Sequence, residues 1–258
     1  MEKKTYSTSK QLLISAPIPA QTRTYKPVSH GQLIDLTLES IHQSGFTLDK
    51  ELYTASSDGE IANGRFTISN VADKDMQLQI GWQNSYNKQL TLKFAIGARI
   101  FICQNGCVSG DHGSFKKKHV GEVQTFAPST IVEYIKASGD VFQKIQKSRD
   151  QMKNVEITKR RQAELLGRML IEDQFIESTQ LNIIEREIKN PTHDYGAKDS
   201  LWELYQFTTF AMKEVHPRLW MDRHIQTHQF FVNEMGILVE SSPEVETIDV
   251  SYEQLNLF

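Results

Sequence analysis

Between Leu90 and Ile102 the chain alternates without a break. Positions 90, 92, 94, 96, 98, 100 and 102 are Leu, Leu, Phe, Ile, Ala, Ile and Ile, while 91, 93, 95, 97 and 99 are Thr, Lys, Ala, Gly and Arg. A helix has 3.6 residues per turn and would scatter both sets around its axis, whereas successive side chains of a strand point to opposite sides. The stretch therefore reads as a long strand with one apolar face and one wet face, the pattern of an antiparallel sheet.

The neighbouring segments supply partners for it. FTLDKELYTASS, a turn at Asp58-Gly59, GRFTIS and MQLQIGWQ all read as strands. Before them, Ser29 caps a helix HGQLIDLTLESIHQS that Gly45 ends. Residues 1–28 read as an extended leader, because Pro17, Pro19 and Pro27 deny it a regular ladder. Past Pro128 the period becomes helical. Ser129-Thr130 caps IVEYIKASGDVFQKIQKSRDQM, Thr158 begins KRRQAELLGRMLIED, Ser178-Thr179 caps QLNIIEREIK, Ser200 caps LWELYQFTTFAMKEV, and Pro217 opens a last helix towards Met235-Gly236. The expected architecture is α+β: a β-rich region over 29–127 with a flanking helix, a helical region over 128–236, and an acidic tail over 237–258.

Composition narrows the class. Of 258 residues, 39% are hydrophobic and 24% charged, which suits an ordinary globular protein. The apolar runs are too short for a membrane span or a signal peptide, and two cysteines without an export signal point to a cytoplasmic setting. Charge is unevenly placed. Phe115 to Arg168 holds 12 Lys/Arg against 6 Asp/Glu, and after Arg223 there is no Lys or Arg, only Glu234, Glu240, Glu244, Glu246, Asp249 and Glu253 among the charged residues. A basic stretch with an acidic tail is a pattern of proteins that handle nucleic acid, although solvated faces fall this way too.

Motifs for catalysis do not assemble. CQNGCV reads as a hairpin turning at Asn105-Gly106, pairing Cys103 with Val108 and placing the two sulfurs on opposite faces, so Cys103 and Cys107 are not expected to share a metal. His224 and His228 have zinc-helix spacing, but Ile225 stands where the general base belongs and both fall on an apolar stripe. GEIANGRF has the glycine spacing of a phosphate loop with Arg65 and Phe66 in place of Lys and Ser/Thr. No nucleophile elbow is present and no carboxylate pair stands out, so no cofactor or metal is expected and the chain reads as a binder rather than an enzyme; a nuclease built on scattered carboxylates has no motif here.

Binding chemistry concentrates in two places. Arg99, Lys116, Lys117, Lys118 and His119, with Lys159, Arg160 and Arg161, offer charge for phosphates, and Trp82 and Tyr86 offer faces on which bases could stack, unless these aromatics lie in the core. The second is the terminus, Gln254, Leu255, Leu257 and Phe258 of QLNLF, whose apolar residues must dock on their own fold or on a partner. QLNLF resembles the pentapeptide Q-L-S/D-L-F by which bacterial replication and repair proteins grip the sliding clamp. Gln254 suits a pocket rim, and Leu257 and Phe258 suit an apolar cleft.

YKPVSHGQLIDL, LYTASSDGEIANGRFTI, NSYNKQLTLKFAIGARIFICQNGCVSGD with the following KKKH, and SLWELYQFTTFAMKEVHPRLW together resemble the phage- and plasmid-borne family catalogued as domain of unknown function 932. The chain departs from the family pattern N-S-H-D-K at Asn84, Ser85, Tyr86, Asn87 and Lys88, with Tyr86 in the histidine's place. The resemblance yields no catalytic residues; it implies work in phage or plasmid DNA metabolism or against host defences. The expectation is a DNA-metabolism accessory protein that binds single-stranded DNA, as in recombination or annealing, as a possible homo-oligomer, and docks on the clamp by its tail. The alternative is an interaction protein that seizes the clamp or a host factor without touching DNA.

Overall fold

The computed structural model describes residues 5–100, 106–108 and 113–236. Within them the chain folds as an α+β protein built on a seven-stranded antiparallel sheet. Strands β1 (Thr5–Thr8), β2 (Leu48–Ser56), β3 (Ile61–Ala72), β4 (Met76–Ser85) and β5 (Leu92–Ile100) lie in chain order, and β6 (Gly106–Val108) and β7 (Ser114–Lys117) divide the last edge of β5 between them. The register is Phe66 opposite Ile80 opposite Ile96, and one residue along, Arg65 opposite Gly81 opposite Ala95. Directly opposed residues share a face. One side of the sheet thus carries Phe66, Ile80, Ile96, Trp82 and Phe94, and the other carries Asn63, Arg65, Gln79, Gln83, Lys93 and Arg99.

Helices cover the apolar side. α2 (His30–Gln43) starts at Ser29, whose hydroxyl accepts from the Gln32 N–H, and is followed by Gly45 at φ 72°. α3 (Val123–Lys136) and α4 (Ser138–Lys153) follow the strands, and α5 (Lys159–Gly167), a π-helical turn at Arg168–Glu172, α6 (Ser178–Lys189), α7 (Leu201–Ala211), a 3₁₀ turn at Met212–Glu214 and α8 (Pro217–Glu234) complete the helical half. One continuous core joins the two halves, from Leu13 through the sheet to Ile145, Phe207 and Phe231.

Four sequence expectations are corrected. The leader is not wholly extended: β1 pairs with β2, and Ser9 caps a short helix, α1 (Lys10–Ser15), that buries Leu13. α3 begins at Val123 and carries Pro128 inside it, because Val123 and Ala127 are pinned in the core; Ser129 does not cap but donates its hydroxyl back to the Thr125 and Phe126 carbonyls. Gly106 is not a turn residue but a paired one, opposite Arg99, with Cys107 opposite Ala98 and Val108 opposite Gly97; Cys103, Gln104 and Asn105 lie outside the described residues. The side of β5 expected to be wet is covered, with Lys93 only 5% exposed and Ala95 4%.

Candidate functional site

The covered polar side has its lid in α8. Met221 packs on Ala95, and Asp222 accepts a hydrogen bond from the Lys93 ammonium at 2.7 Å, with Lys116 at 3.8 Å from the same oxygen. Small residues Gly81, Ala95 and Gly97 floor a cavity of about 210 Å³ between the sheet and the segment from Lys213 to Met221. Its polar lining is ordered: Gln83 donates to Asn63 at 2.8 Å and Asn63 donates to Thr54 at 3.0 Å, a relay across β4, β3 and β2.

Arg65 dominates the electrostatics. It is half-buried in this cavity, its guanidinium carbon lies 5.9 Å from the centre of the Trp220 ring, and among the described residues no carboxylate comes within ion-pair distance of it. Burial, with Arg99 nearby, pushes its pKa down, so the charge is held at a cost that an incoming anion would relieve. Trp220 rests its other neighbour contact on the His224 ring, 4.4 Å away between centres, and Lys213 stands exposed at the rim. The register adds Lys93, Arg99 and Lys116 to the same face as Arg65, against one engaged carboxylate from α8 and Asp49 at the side, which accepts from Gln77 at 3.5 Å.

This arrangement redistributes the residues anticipated from sequence. Arg99 and Lys116 lie on the cationic face. Strand alternation sends Lys117 to the opposite side, where its ammonium sits 4.3 Å from the centre of Phe126, and Lys118 follows β7. Lys159 and Arg160 are exposed on α5, while Arg161 is bound by Glu164 and Glu234, the latter also held by Arg168 from the π-helical turn. Trp82 is not a stacking platform: it is 1% exposed, and its ring fills the space where a Cβ on Gly64 would come within 2.6 Å. Gln254, Leu255, Leu257 and Phe258 lie outside the described residues.

Tyr86 and His119 belong to a buried hub instead. His30 stacks on Tyr86 with ring centres 3.9 Å apart, the Tyr86 hydroxyl accepts from the His30 backbone N–H, and the Tyr25 hydroxyl donates to the Tyr86 carbonyl. The Asn84 amide donates to His30 Nδ1 at 3.0 Å and to the Val28 carbonyl at 2.7 Å, which leaves the proton of a neutral His30 on Nε2, donated to the Gly59 carbonyl at 3.1 Å. Burial drives the His30 pKa down to about 4, and burial also lowers that of His119, whose ring packs edge-on to Tyr25. Every partner here comes from YKPVSHGQ, DGE, NSYN or KKKH, so these four segments meet at one point. With His30 fully enclosed, the hub holds the fold rather than a ligand.

Arg65, Lys213 and Trp220 were not singled out as site residues from sequence. For Arg65 the signal was available: it shares the polar parity of its strand with Asn63 and Thr67, opposite the apolar parity of Ala62, Phe66 and Ile68. For Trp220 and Lys213 there was none, because their position over the sheet is set by tertiary packing. Among the described residues no three His, Cys, Asp or Glu side chains are grouped to hold a metal ion, and no helix is long and apolar enough to cross a membrane.

A helix-backed antiparallel sheet with a cationic, amide-lined cavity on its far side defines an α+β protein with a candidate site on the sheet. The chain belongs to the family described as domain of unknown function 932, whose model matches residues 19–230. No curated protein and no solved structure matches it.

Proposed function

We propose that the protein binds single-stranded DNA on the cationic face of the sheet and is brought to replicating DNA by its QLNLF tail. The observation that carries this reading is the gathering of Arg65, Arg99 and Lys116 on one face, beside the buried Lys93–Asp222 pair, with Arg65 and Arg99 in no ion pair among the described residues. Such a face neutralises phosphates and releases their counterions, the largest sequence-independent term in nucleic-acid binding. Attachment through Gln254, Leu255, Leu257 and Phe258 to the sliding clamp raises the local concentration of DNA, so modest contacts suffice. The protein then acts in the bacterial cytoplasm as a phage or mobile-element accessory of replication or recombination.

Two measurements test the reading. Retention of a single-stranded oligonucleotide should fall steeply between low and moderate salt, and flat or absent retention counts against DNA binding. Purified sliding clamp should bind the full chain and not a chain lacking Gln254 to Phe258; clamp binding without DNA retention turns the account into that of a clamp antagonist.

A further inference from the structure

We infer that the cavity at Arg65 and Trp220 is the seat of a single nucleotide unit, its phosphate on the guanidinium and its base against the indole. This deepens the strand-binding reading and names the part of a strand that the pocket takes.

Four features of the cavity point to that ligand. Its net charge is positive, with Arg65 inside and Lys213 at the rim and no carboxylate lining it among the described residues, so it selects an anion. The second feature is flatness. Trp220 offers an indole beside a planar guanidinium, and both groups are faces on which a base stacks at about 1–3 kcal/mol per base. Third, Gln79 and Asn63 line the cavity with side-chain amides that each give one hydrogen to a threonine, to Thr67 and Thr54, and keep a second hydrogen, as a base edge requires. Fourth, Gly81, Ala95 and Gly97 keep the floor of the cavity of about 210 Å³ low, which leaves room beside Arg65 for a small planar ligand. A phosphate alone would use only the first feature, and an apolar ligand would leave Arg65 buried against it.

The floor also provides a clean variant. A Cβ at Gly81 would meet the Gly64 carbonyl at 3.5 Å, and Arg65 Cγ and Met221 Cε at 3.9 Å, which is ordinary contact. A longer side chain there grows into the cavity without touching the apolar core.

The experiment is titration of the full chain with deoxyadenosine 5′-monophosphate, read by tryptophan emission and by calorimetry, beside inorganic phosphate at the same concentrations. Trp202 is buried and Trp82 stands in the cavity wall beside Trp220, so a Trp220→Phe variant assigns the quenching. Saturable binding of the nucleotide is expected, with phosphate alone at least about tenfold weaker. Arg65→Gln and Gly81→Leu should each weaken the nucleotide by about tenfold or more, and Lys117→Gln on the other side of the sheet should leave it unchanged. Should Gly81→Leu fail to fold, Trp220→Leu read by calorimetry replaces it. No saturable binding, equal binding of phosphate, or wild-type binding by the Arg65 and Gly81 variants overturns the pocket. Strand retention without nucleotide binding would keep the cationic face and remove the pocket; nucleotide binding without strand retention would keep the pocket and remove the strand.

Discussion

On one side of β3, β4 and β5 lie Phe66, Ile80, Trp82, Phe94 and Ile96, each at most 1% exposed; on the other lie Arg65, Gln79, Gln83, Lys93 and Arg99. Both sides are covered, and only one is dry in its chemistry. Helices close the first side with side chains that have no other use, so its energetics are those of any core: apolar area removed from water and tight packing. The second side is roofed by α8 but keeps charge, amides and a cavity. Covering a polar face brings desolvation without an equivalent hydrophobic return, and proteins retain such faces where they hold something. The same alternation generates both sides, so the contrast between them separates what folds this chain from what it does.

The largest effects are expected on the apolar side. Phe66→Ala should destabilise by about 3–5 kcal/mol in urea titration, since a fully enclosed ring leaves a cavity that β2 and β4 cannot close. Gly64→Ala should cost about 1–3 kcal/mol despite its size, because the new methyl meets the Trp82 ring at 2.6 Å and that ring has nowhere to go. A result near zero for either would mean that this side is packed more loosely than the contacts indicate.

The hub gives a pH test. The His30 pKa is about 4 in the folded protein against an ordinary 6.5, so between these values the unfolded chain binds the extra proton. Stability from this group is therefore fully present above pH 6.5 and declines as pH falls towards 4, by about 3 kcal/mol in all. Asp73 falls in a separate window. Burial alone would raise it, but the Asp75 and Met76 N–H groups and Arg149 outweigh that and hold it at about 2, so its contribution is lost only at still lower pH. Urea midpoints of wild type and His30→Gln across pH 7 to pH 4.5 check this: the variant should show a visibly flatter profile, and parallel profiles would refute the assignment.

Smaller stability changes belong to the polar side. Asp222→Asn removes the carboxylate facing Lys93, whose side chain is 6% exposed, and should cost about 1–3 kcal/mol, tempered by the 31% exposure of Asp222 itself. Arg65→Gln should be close to neutral or stabilising, within about 1 kcal/mol, because it relieves a half-buried charge. A large loss on Arg65→Gln would make Arg65 a structural residue and weaken the functional contrast.

How much of this was legible follows from the range over which each feature is determined. The strands are written in period 2 and the capped helices begin at Ser29, Thr158 and Ser200, all local signals. What failed locally was what tertiary packing overrode, such as Pro128 inside α3 and Gly106 paired with Arg99 of β5 rather than placed in a turn. The fate of the lysine triplet was implicit in alternation, which places Lys116 and Lys117 on opposite sides of β7. The cavity was not legible, because its roof comes from a helix whose Asp222 stands 129 residues from the Lys93 it binds. Nothing near Arg65 in sequence announces Trp220.

The salt dependence of single-strand binding, compared between the two sides of the sheet, distinguishes them most directly. An Arg65→Gln, Arg99→Gln, Lys116→Gln variant should bind more weakly than wild type and show a slope of log affinity against log salt shallower by about 2, while Lys117→Gln keeps the wild-type affinity and a slope within about 0.3 of it. Equal slopes for wild type and the triple variant would contradict the claim that the covered polar side is the binding face.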